Sequence, residues 1–143
     1  MNHCVVDASV ALKWYVPEPY GENALRLLES HLQGELALHV PDLFLAESGK
    51  ILWKKVPRGE LSDQEAGEIS RALLSVPKTV YPTEILLPAA VKLACAIGRT
   101  VYDSLYLALA ALLDCPMITA DERLYRALGR TEWSGLLRWV GDL

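Results

Sequence analysis

The chain has 143 residues, and the 52% that are hydrophobic supply enough apolar material for one compact core. A formal net charge of −4 excludes a protein that holds nucleic acid through a general positive field, so any such contact has to be local. No window approaches the roughly 18 uninterrupted apolar residues of a membrane span, and no basic stretch precedes an apolar one at the N-terminus. We therefore expect a cytoplasmic protein without membrane contact, made of a single domain over residues 1–143.

The first half of the chain predicts two strands separated by helices. Short apolar runs indicate strands at residues 3–6 and 37–40, and helical spacing indicates helices at 10–14, 20–33 and 43–56. Ser9 and Asp42 are the predicted N-caps of the first and third helices. Ser62 and Glu65 have the spacing of a capping box, which predicts a fourth helix that ends near residue 75.

The second half of the chain continues the alternation of predicted strands and helices. Strands are predicted at residues 76–81, 117–119 and 138–140, and helices at 83–97, 100–113 and 122–128. Thr83 is the predicted cap of the first of these helices, and Gly98 its stop. Strands separated by helical crossovers favour an α/β fold with a central, mainly parallel sheet of four or five strands, covered on both faces.

The three cysteines and three of the aromatic residues are predicted to be structural. Cysteines that are odd in number and widely spaced indicate neither a disulfide framework nor a zinc cluster. We expect Cys4, Cys95 and Cys115 to be small core residues. Core packing is also the expected role of the aromatic residues Trp14, Tyr102 and Tyr106, with base stacking as the alternative.

Two aspartates follow predicted strands directly. Asp7 comes after the run that ends at Val6, and Asp121 lies two residues after Thr119. Ligands of open α/β sheets bind outside the carboxyl ends of the strands, so both side chains are expected at such a crevice. The competing interpretations are local ones, in which Asp7 ends a strand in a turn and Asp121 caps a helix.

Two further acids stand in apolar surroundings. Glu47 lies too far into its helix to cap it, although Lys50 or Lys54 could pair with it along the helix. Asp103 is the only charged residue from 100 to 113, and as an early-turn acid it is also favoured by the helix dipole. No equally isolated lysine or arginine is available for each acid, so one shared cation explains them together.

Electrostatics favours a divalent metal ion at such a site. Two unit charges about 4 Å apart repel by roughly 4 kcal/mol at an effective dielectric constant near 20, so clustered carboxylates protonate unless a cation offsets them. Mg²⁺ takes oxygen ligands and retains several waters, and Mn²⁺ accepts similar ligands. The four acids Asp7, Glu47, Asp103 and Asp121 therefore predict a Mg²⁺ site, with Mn²⁺ as the alternative.

Four segments carry a resemblance to a known family. Residues 5–14 (VVDASVALKW), 41–54, 102–110 (YDSLYLALA) and 118–124 (ITADERL) contain the four acids in an order and spacing that resemble the PIN-domain ribonucleases, in particular the VapC-type toxins of toxin–antitoxin pairs. The resemblance covers nearly the whole chain. It implies a PIN-like α/β/α sandwich in which the four acids bind metal, while Ser9 and Thr119 orient them. The family often has an amide side chain three residues after the glutamate, whereas this chain has Lys50, preceded by Gly49.

The resemblance also implies a reaction and partners. The reaction is hydrolysis of RNA phosphodiester bonds, leaving a 3′-hydroxyl and a 5′-phosphate. The implied partners are a cognate VapB-like antitoxin and a second copy of the chain. Local contacts to the RNA backbone are expected from basic side chains near the acidic segments: Lys13, Lys50, Lys54, Lys55, Arg58, Arg99 and Arg123.

Three other functions are consistent with parts of the pattern. One is a PIN nuclease that processes RNA or acts on structured DNA without being a toxin, and another is an inactive binding module that keeps the acids for stability. A receiver-like phosphoacceptor module is the third. It leaves Glu47 and Asp103 unexplained, and no lysine is convincingly placed after a later strand.

Overall fold

The computed structural model describes residues 2–143, which form a five-stranded sheet and seven α-helices. The strands are β1 (Asn2–Val6), β2 (Leu36–Pro41), β3 (Thr79–Tyr81), β4 (Met117–Thr119) and β5 (Leu137–Trp139). The helices are α1 (Ala8–Ala11), α2 (Gly21–Leu32), α3 (Leu43–Lys55), α4 (Asp63–Ser75), α5 (Thr83–Ile97), α6 (Val101–Leu113) and α7 (Glu122–Leu128). The predicted α/β alternation is confirmed.

All neighbouring strands of the sheet are parallel, in the order β3-β2-β1-β4-β5. The chain leaves the central strand β1 toward β2 and β3, and returns to its other side with β4 and β5. β1 is therefore the point where successive crossovers run in opposite directions, which is where α/β sheets bind their ligands. The strand predicted at 138–140 is the edge strand β5.

Both faces of the central strands are covered. Cys4, Val5 and Val6 are consecutive buried residues of β1, and all of β4 is buried as well. A strand with only one covered face alternates buried and exposed residues, so continuous burial indicates layers on both sides. Helix α6 packs across β1, β2 and β4, with α5 against it, and α2 packs on β2. The architecture is a PIN-like α/β/α sandwich.

Three of the predicted helix caps are wrong. Asp7, not Ser9, caps the first helix, which starts at Ala8 and continues as a 3-10 turn over Leu12–Trp14. Asp42 occupies the N-cap position of α3 without a capping bond, because its carboxylate accepts hydrogen bonds from the backbone N–H and the hydroxyl of Thr83. Thr83 is thus the first residue of α5 rather than its cap.

Other predicted boundaries agree closely with the structure. The capping box of Ser62 and Glu65 is present, and Gly98 ends α5 in the left-handed region with φ 69°. β3 is shorter than the predicted strand at 76–81, because Val76 closes α4 and only Thr79–Tyr81 pairs with β2.

The prediction of core positions is confirmed in part. Cys4 and Cys115 are buried, but Cys95 is exposed on α5. Tyr106 is buried, whereas Tyr102 on the same helix is exposed, so its predicted core position is wrong. Trp14 is in the core, where its indole N–H donates to the carbonyl oxygen of Ala24 at 2.9 Å.

Within residues 2–143, no single helix has both the length and the apolar composition needed to cross a membrane. Length and composition are sufficient only when α5 and α6 are taken together, and this pair is bent by 113°.

Candidate metal-binding active site

Asp7 occupies the carboxyl end of the central strand, where β1 passes into α1. Its Oδ1 accepts a hydrogen bond from the backbone N–H of Ser9 at 3.4 Å, which is the helix-capping contact. Its Oδ2 accepts from the hydroxyl of Thr119 at 2.9 Å. One carboxylate therefore both starts a helix and joins β1 to β4.

Thr119 and Ser9 connect the ends of these two strands. The Thr119 oxygen also accepts from the backbone N–H of Asp121 at 3.0 Å, and the Ser9 oxygen accepts from the N–H of Ala120 at 3.3 Å. Asp121 caps α7, since its Oδ1 accepts from the N–H of Leu124 at 3.1 Å. The predicted proximity of Asp7 and Asp121 is thus produced by side chains that hold the two strand ends together.

Glu47 contributes a half-buried carboxylate from α3. Its Oε1 is buried and has no hydrogen-bond partner. Among the described residues, it forms no ion pair with Lys50 or Lys54, so the local pairing considered for it is absent. Burial raises its pKa, and the negative charge of Asp103 adds to the increase. A buried oxygen without a partner is costly, which makes Glu47 a candidate cation ligand.

Asp103 has a partner that the sequence analysis missed. The Arg99 guanidinium lies 3.4 Å from its carboxylate, one helical turn away across the N-cap Thr100. Only basic residues within the apolar segments were considered as partners from the sequence, and Arg99 lies just outside such a segment. Burial still raises the pKa of Asp103, since the charge of Asp121 adds to the burial effect while Arg99 opposes both.

The four acids influence one another electrostatically. Burial raises the pKa of Asp7 to about 6, with Thr119 opposing the increase and the charge of Glu47 adding to it. Glu47 in turn is affected by Asp103, and Asp103 by Asp121. The side chains thus form a continuous series along the crevice at the strand ends, and each interaction in the series is repulsive.

Tyr106 is a second site residue that the sequence analysis did not place there. Its buried hydroxyl lies in the field of Asp7 and Glu47, and burial together with these two charges raises its pKa. The nearby Tyr106 hydroxyl also lowers the pKa of Glu47. The geometry of this contact is nevertheless not that of a hydrogen bond, and the hydroxyl has no other partner. Tyr106 follows Asp103 by three residues on α6, a spacing that places both on one helix face.

The donor set fits a hard cation that keeps part of its water shell. Within residues 2–143, no three acidic, histidine or cysteine side chains lie close enough together to hold a metal ion by themselves, so waters would have to complete its coordination. Carboxylate oxygens are the ligands that Mg²⁺ and Mn²⁺ prefer, and Mg²⁺ is usually held through one or two carboxylates and several waters. The unpartnered oxygen of Glu47 and the repulsion among the acids are consistent with such an ion.

The basic residues proposed to contact RNA fall into two groups. Four are exposed and without an acidic partner among the described residues: Lys50, Lys54, Arg58 and Arg123. The others form ion pairs. Lys13 lies 3.9 Å from Glu18 with only 9% of its side chain exposed, and Lys55 contacts Glu18 and Glu60. Arg99 is held by Asp103.

Fold and site together define an α/β protein with an acidic crevice at the carboxyl ends of its strands. A family model described as PIN domain matches residues 4–129. Ribonuclease VapC3 of Pyrobaculum aerophilum is 36% identical over 122 residues, covering 84% of this chain and 90% of the relative. Ribonuclease VapC1 of Mycobacterium tuberculosis is 33% identical over 131 residues, covering 90% of this chain and 93% of the relative.

Solved structures show the same fold. The crystal structure of PAE2754 from Pyrobaculum aerophilum aligns with a TM-score of 0.65 at 22% identity, over 99% of this chain and 85% of that one. FitAB bound to an IR36 DNA fragment aligns with a TM-score of 0.66 at 14% identity, over 98% and 96%. The chain belongs to the PIN-domain family, in the group of the VapC-type ribonucleases.

Proposed function

We propose that this protein is a divalent-metal-dependent endoribonuclease that uses Mg²⁺, with Mn²⁺ as the alternative ion. The observation that carries the proposal is the series of four carboxylates, in which each acid repels the next and Glu47 keeps a buried oxygen without a partner. Two of its curated relatives, which it matches over most of their length, are named ribonucleases. Both facts point to hydrolysis of an RNA phosphodiester bond.

Each site residue has a distinct role in this proposal. Asp7, Glu47, Asp103 and Asp121 hold the ion, which when bound activates water and offsets charge on the phosphate. Thr119 positions Asp7 and Asp121 by bonding to both residues. Ser9 fixes the turn between those acids through Ala120. The exposed lysines of α3, Lys50 and Lys54, bind the RNA backbone on approach.

Cleavage of labelled single-stranded RNA tests the activity. We expect products with 5′-phosphate ends in Mg²⁺ or Mn²⁺ and none in excess EDTA. Asp103→Asn should reduce the rate at least a hundredfold. Asp114→Asn changes an exposed aspartate of the same helix at its left-handed C-cap, a conformation that asparagine also accepts, and should cleave normally.

Metal binding is measured separately by calorimetry on the same variants. Asp103→Asn should weaken Mg²⁺ binding, while Asp114→Asn should not. If Asp7→Asn and Asp103→Asn leave both RNA cleavage and metal affinity unchanged, the proposal is wrong. Duplex and branched DNA of matched length serve as competing substrates, because faster cleavage of DNA would reassign the substrate.

We also propose that the protein is a homodimeric toxin that acts in the cytoplasm and is neutralised by a cognate VapB-like antitoxin. Two exposed apolar helix faces support protein partners. Leu45, Gly49 and Trp53 share one face of α3, and Leu87 and Val91 share one face of α5. Exposed apolar groups at helical spacing are typical of surfaces that bind another protein.

Expression in cells tests the toxin role. Brief induction should stop growth, and coexpression of a small open reading frame adjacent to the gene should restore it. Growth that continues despite active enzyme would assign the protein to RNA processing instead. For the dimer, light scattering should give twice the monomer mass, and Val91→Glu should halve it, while Leu112→Glu on exposed α6 surface should not.

A further inference from the structure

A second recess lies directly beside the acidic crevice. It is a cavity of about 490 Å³, within the usual range for small-ligand sites. Ala120, between Thr119 and Asp121, contributes to its lining, as do side chains of α7. The helix that Asp121 caps is therefore also a wall of the cavity. A molecule in this recess would be a direct neighbour of one held at the acids.

Three of the eight residues that line the cavity are aromatic. Tyr20, Tyr125 and Trp139 line the cavity, and the ring centroids of both tyrosines lie 5.6 Å from that of Trp139. Tyr20 packs edge-on against the indole at 80°, and Tyr125 is tilted at 43°. Such rings provide π faces and edges on which a flat heterocycle can stack.

The backbone is specialised to hold these rings in place. Tyr20 has φ 65°, a left-handed conformation that is unusual and strained for a bulky residue. A Cβ atom at Gly141 would lie 2.7 Å from the indole nitrogen of Trp139 and 2.9 Å from the Tyr20 ring. Any side chain at Gly141 would displace these rings, so the glycine there is required for the observed packing of Tyr20 against Trp139.

The charges around the cavity are balanced. Lys13 faces Glu18 at 3.9 Å, and Arg126 pairs with Glu122 on α7. Both cations at the rim thus already have an acidic partner. An aromatic recess with paired charges at its rim suits an uncharged ring with polar edges rather than an anion.

We propose that this cavity binds one nucleobase of a single-stranded RNA whose neighbouring phosphate lies at the four acids, and that it determines which base flanks the cut. This inference rests on the proposed ribonuclease function. It assigns Tyr125 and Trp139 as base-stacking residues, with Tyr20 holding the indole in position. Such stacking is worth about 1–3 kcal/mol per base, which corresponds to roughly fivefold to more than a hundredfold in affinity.

Base binding is tested without cleavage, by following the tryptophan indole N–H signals in heteronuclear NMR spectra without metal. The probes are the four nucleosides, with ribose 5-phosphate as the base-free control. At least one nucleoside should shift the Trp139 signal, which Trp139→Phe assigns, while ribose 5-phosphate should not. Trp53 is more exposed, at 68%, and serves as an internal control for nonspecific stacking.

Two variants of one residue separate stacking from folding. Tyr125→Leu should weaken nucleoside binding at least fivefold, while Tyr125→Phe, which keeps the ring, should retain it. On a randomised RNA in Mg²⁺, Tyr125→Leu should alter the base preference next to the cut, and Tyr125→Phe should preserve it.

The outcomes separate this inference from the proposed function. Nucleoside shifts at Trp139 without any RNA cleavage would support the cavity and overturn the nuclease proposal. Cleavage with unchanged base preference in Tyr125→Leu would overturn the cavity, as would equal shifts at Trp53 and Trp139. Binding of an aromatic peptide side chain in place of every nucleoside would also overturn it and assign the recess to a protein partner.

Discussion

Replacing Asp7 by asparagine should stabilise the metal-free protein at neutral pH. The pKa of this carboxyl is about 6 in the folded chain against an ordinary value of 3.8, so the folded state binds its proton more tightly than the unfolded state does. Its contribution to the free energy of unfolding is therefore most favourable at low pH, and falls as pH rises from about 4 to about 6. Above that range, ionised Asp7 lowers the free energy of unfolding by about 3 kcal/mol relative to the protonated form.

The size of the effect follows from these two pKa values. Between pH 4.5 and 7.5, linkage predicts that ionised Asp7 lowers the free energy of unfolding by about 2 kcal/mol. Asparagine removes this pH dependence, but its amide oxygen accepts the hydrogen bond from the Thr119 hydroxyl less well, which costs about 1 kcal/mol. We expect Asp7→Asn to match the parent protein near pH 4.5 and to exceed it by about 2 kcal/mol at pH 7.5.

Urea unfolding in EDTA, followed by circular dichroism at several pH values, measures this difference. Asp114→Asn is the matched control and should run parallel to the parent protein, since this aspartate is exposed. Adding Mg²⁺ at pH 7.5 should stabilise the parent protein and have little effect on Asp7→Asn. A constant difference between the variant and the parent at all pH values would refute the argument that the carboxylate is held at an energetic cost.

Three further predictions concern other described residues. Thr119→Val should lower the free energy of unfolding by about 1–3 kcal/mol in urea titrations, because Oδ2 of Asp7 loses its donor and the part-buried N–H of Asp121 loses its acceptor. Thr79→Val on the exposed edge strand should change it by less than about 0.5 kcal/mol. Gly49→Ala should raise the free energy of unfolding by about 0.5–1 kcal/mol in the same assay, since nothing lies within 4 Å of the added Cβ; destabilisation would mean that the helix face is not open. A thiol reagent at pH 8 should label Cys95 quickly and the two buried cysteines only after unfolding.

Elements with local signals were predictable from the sequence. Met117–Thr119 and Glu122–Leu128 match their predicted bounds, because an apolar run and a terminal glycine mark them independently of the rest of the fold. The caps at Asp42 and Thr83 were not predictable in this way. These two residues bond to each other across 41 positions, and that tertiary contact removes Asp42 from the helix end it would otherwise cap.

The site residues also divide into those that the sequence pattern predicted and those that depend on a contact it did not reveal. Asp7 and Asp121 follow strands, and the general topology of parallel sheets predicts that they meet. For Glu47 and Asp103, isolation in apolar segments was the signal. Both are half-buried, and burial together with the charge of a neighbouring acid raises the pKa of each. Arg99 was missed as a partner of Asp103 because it lies just outside the apolar run, although its four-residue spacing is a recognised pairing distance.

The pairing of β1 with β4 links opposite ends of the chain. Val5 and Val6 are in register with Met117 and Ile118, so the crevice exists only after a closure across more than a hundred residues. Contacts this distant in sequence form slowly, because the loop-closure entropy is lost before they contribute stability. A growing polypeptide would therefore lack the acidic crevice until its last strands had been synthesised, and detachment of β4 alone would abolish it. The arrangement of the four acids therefore depends on complete folding of the chain.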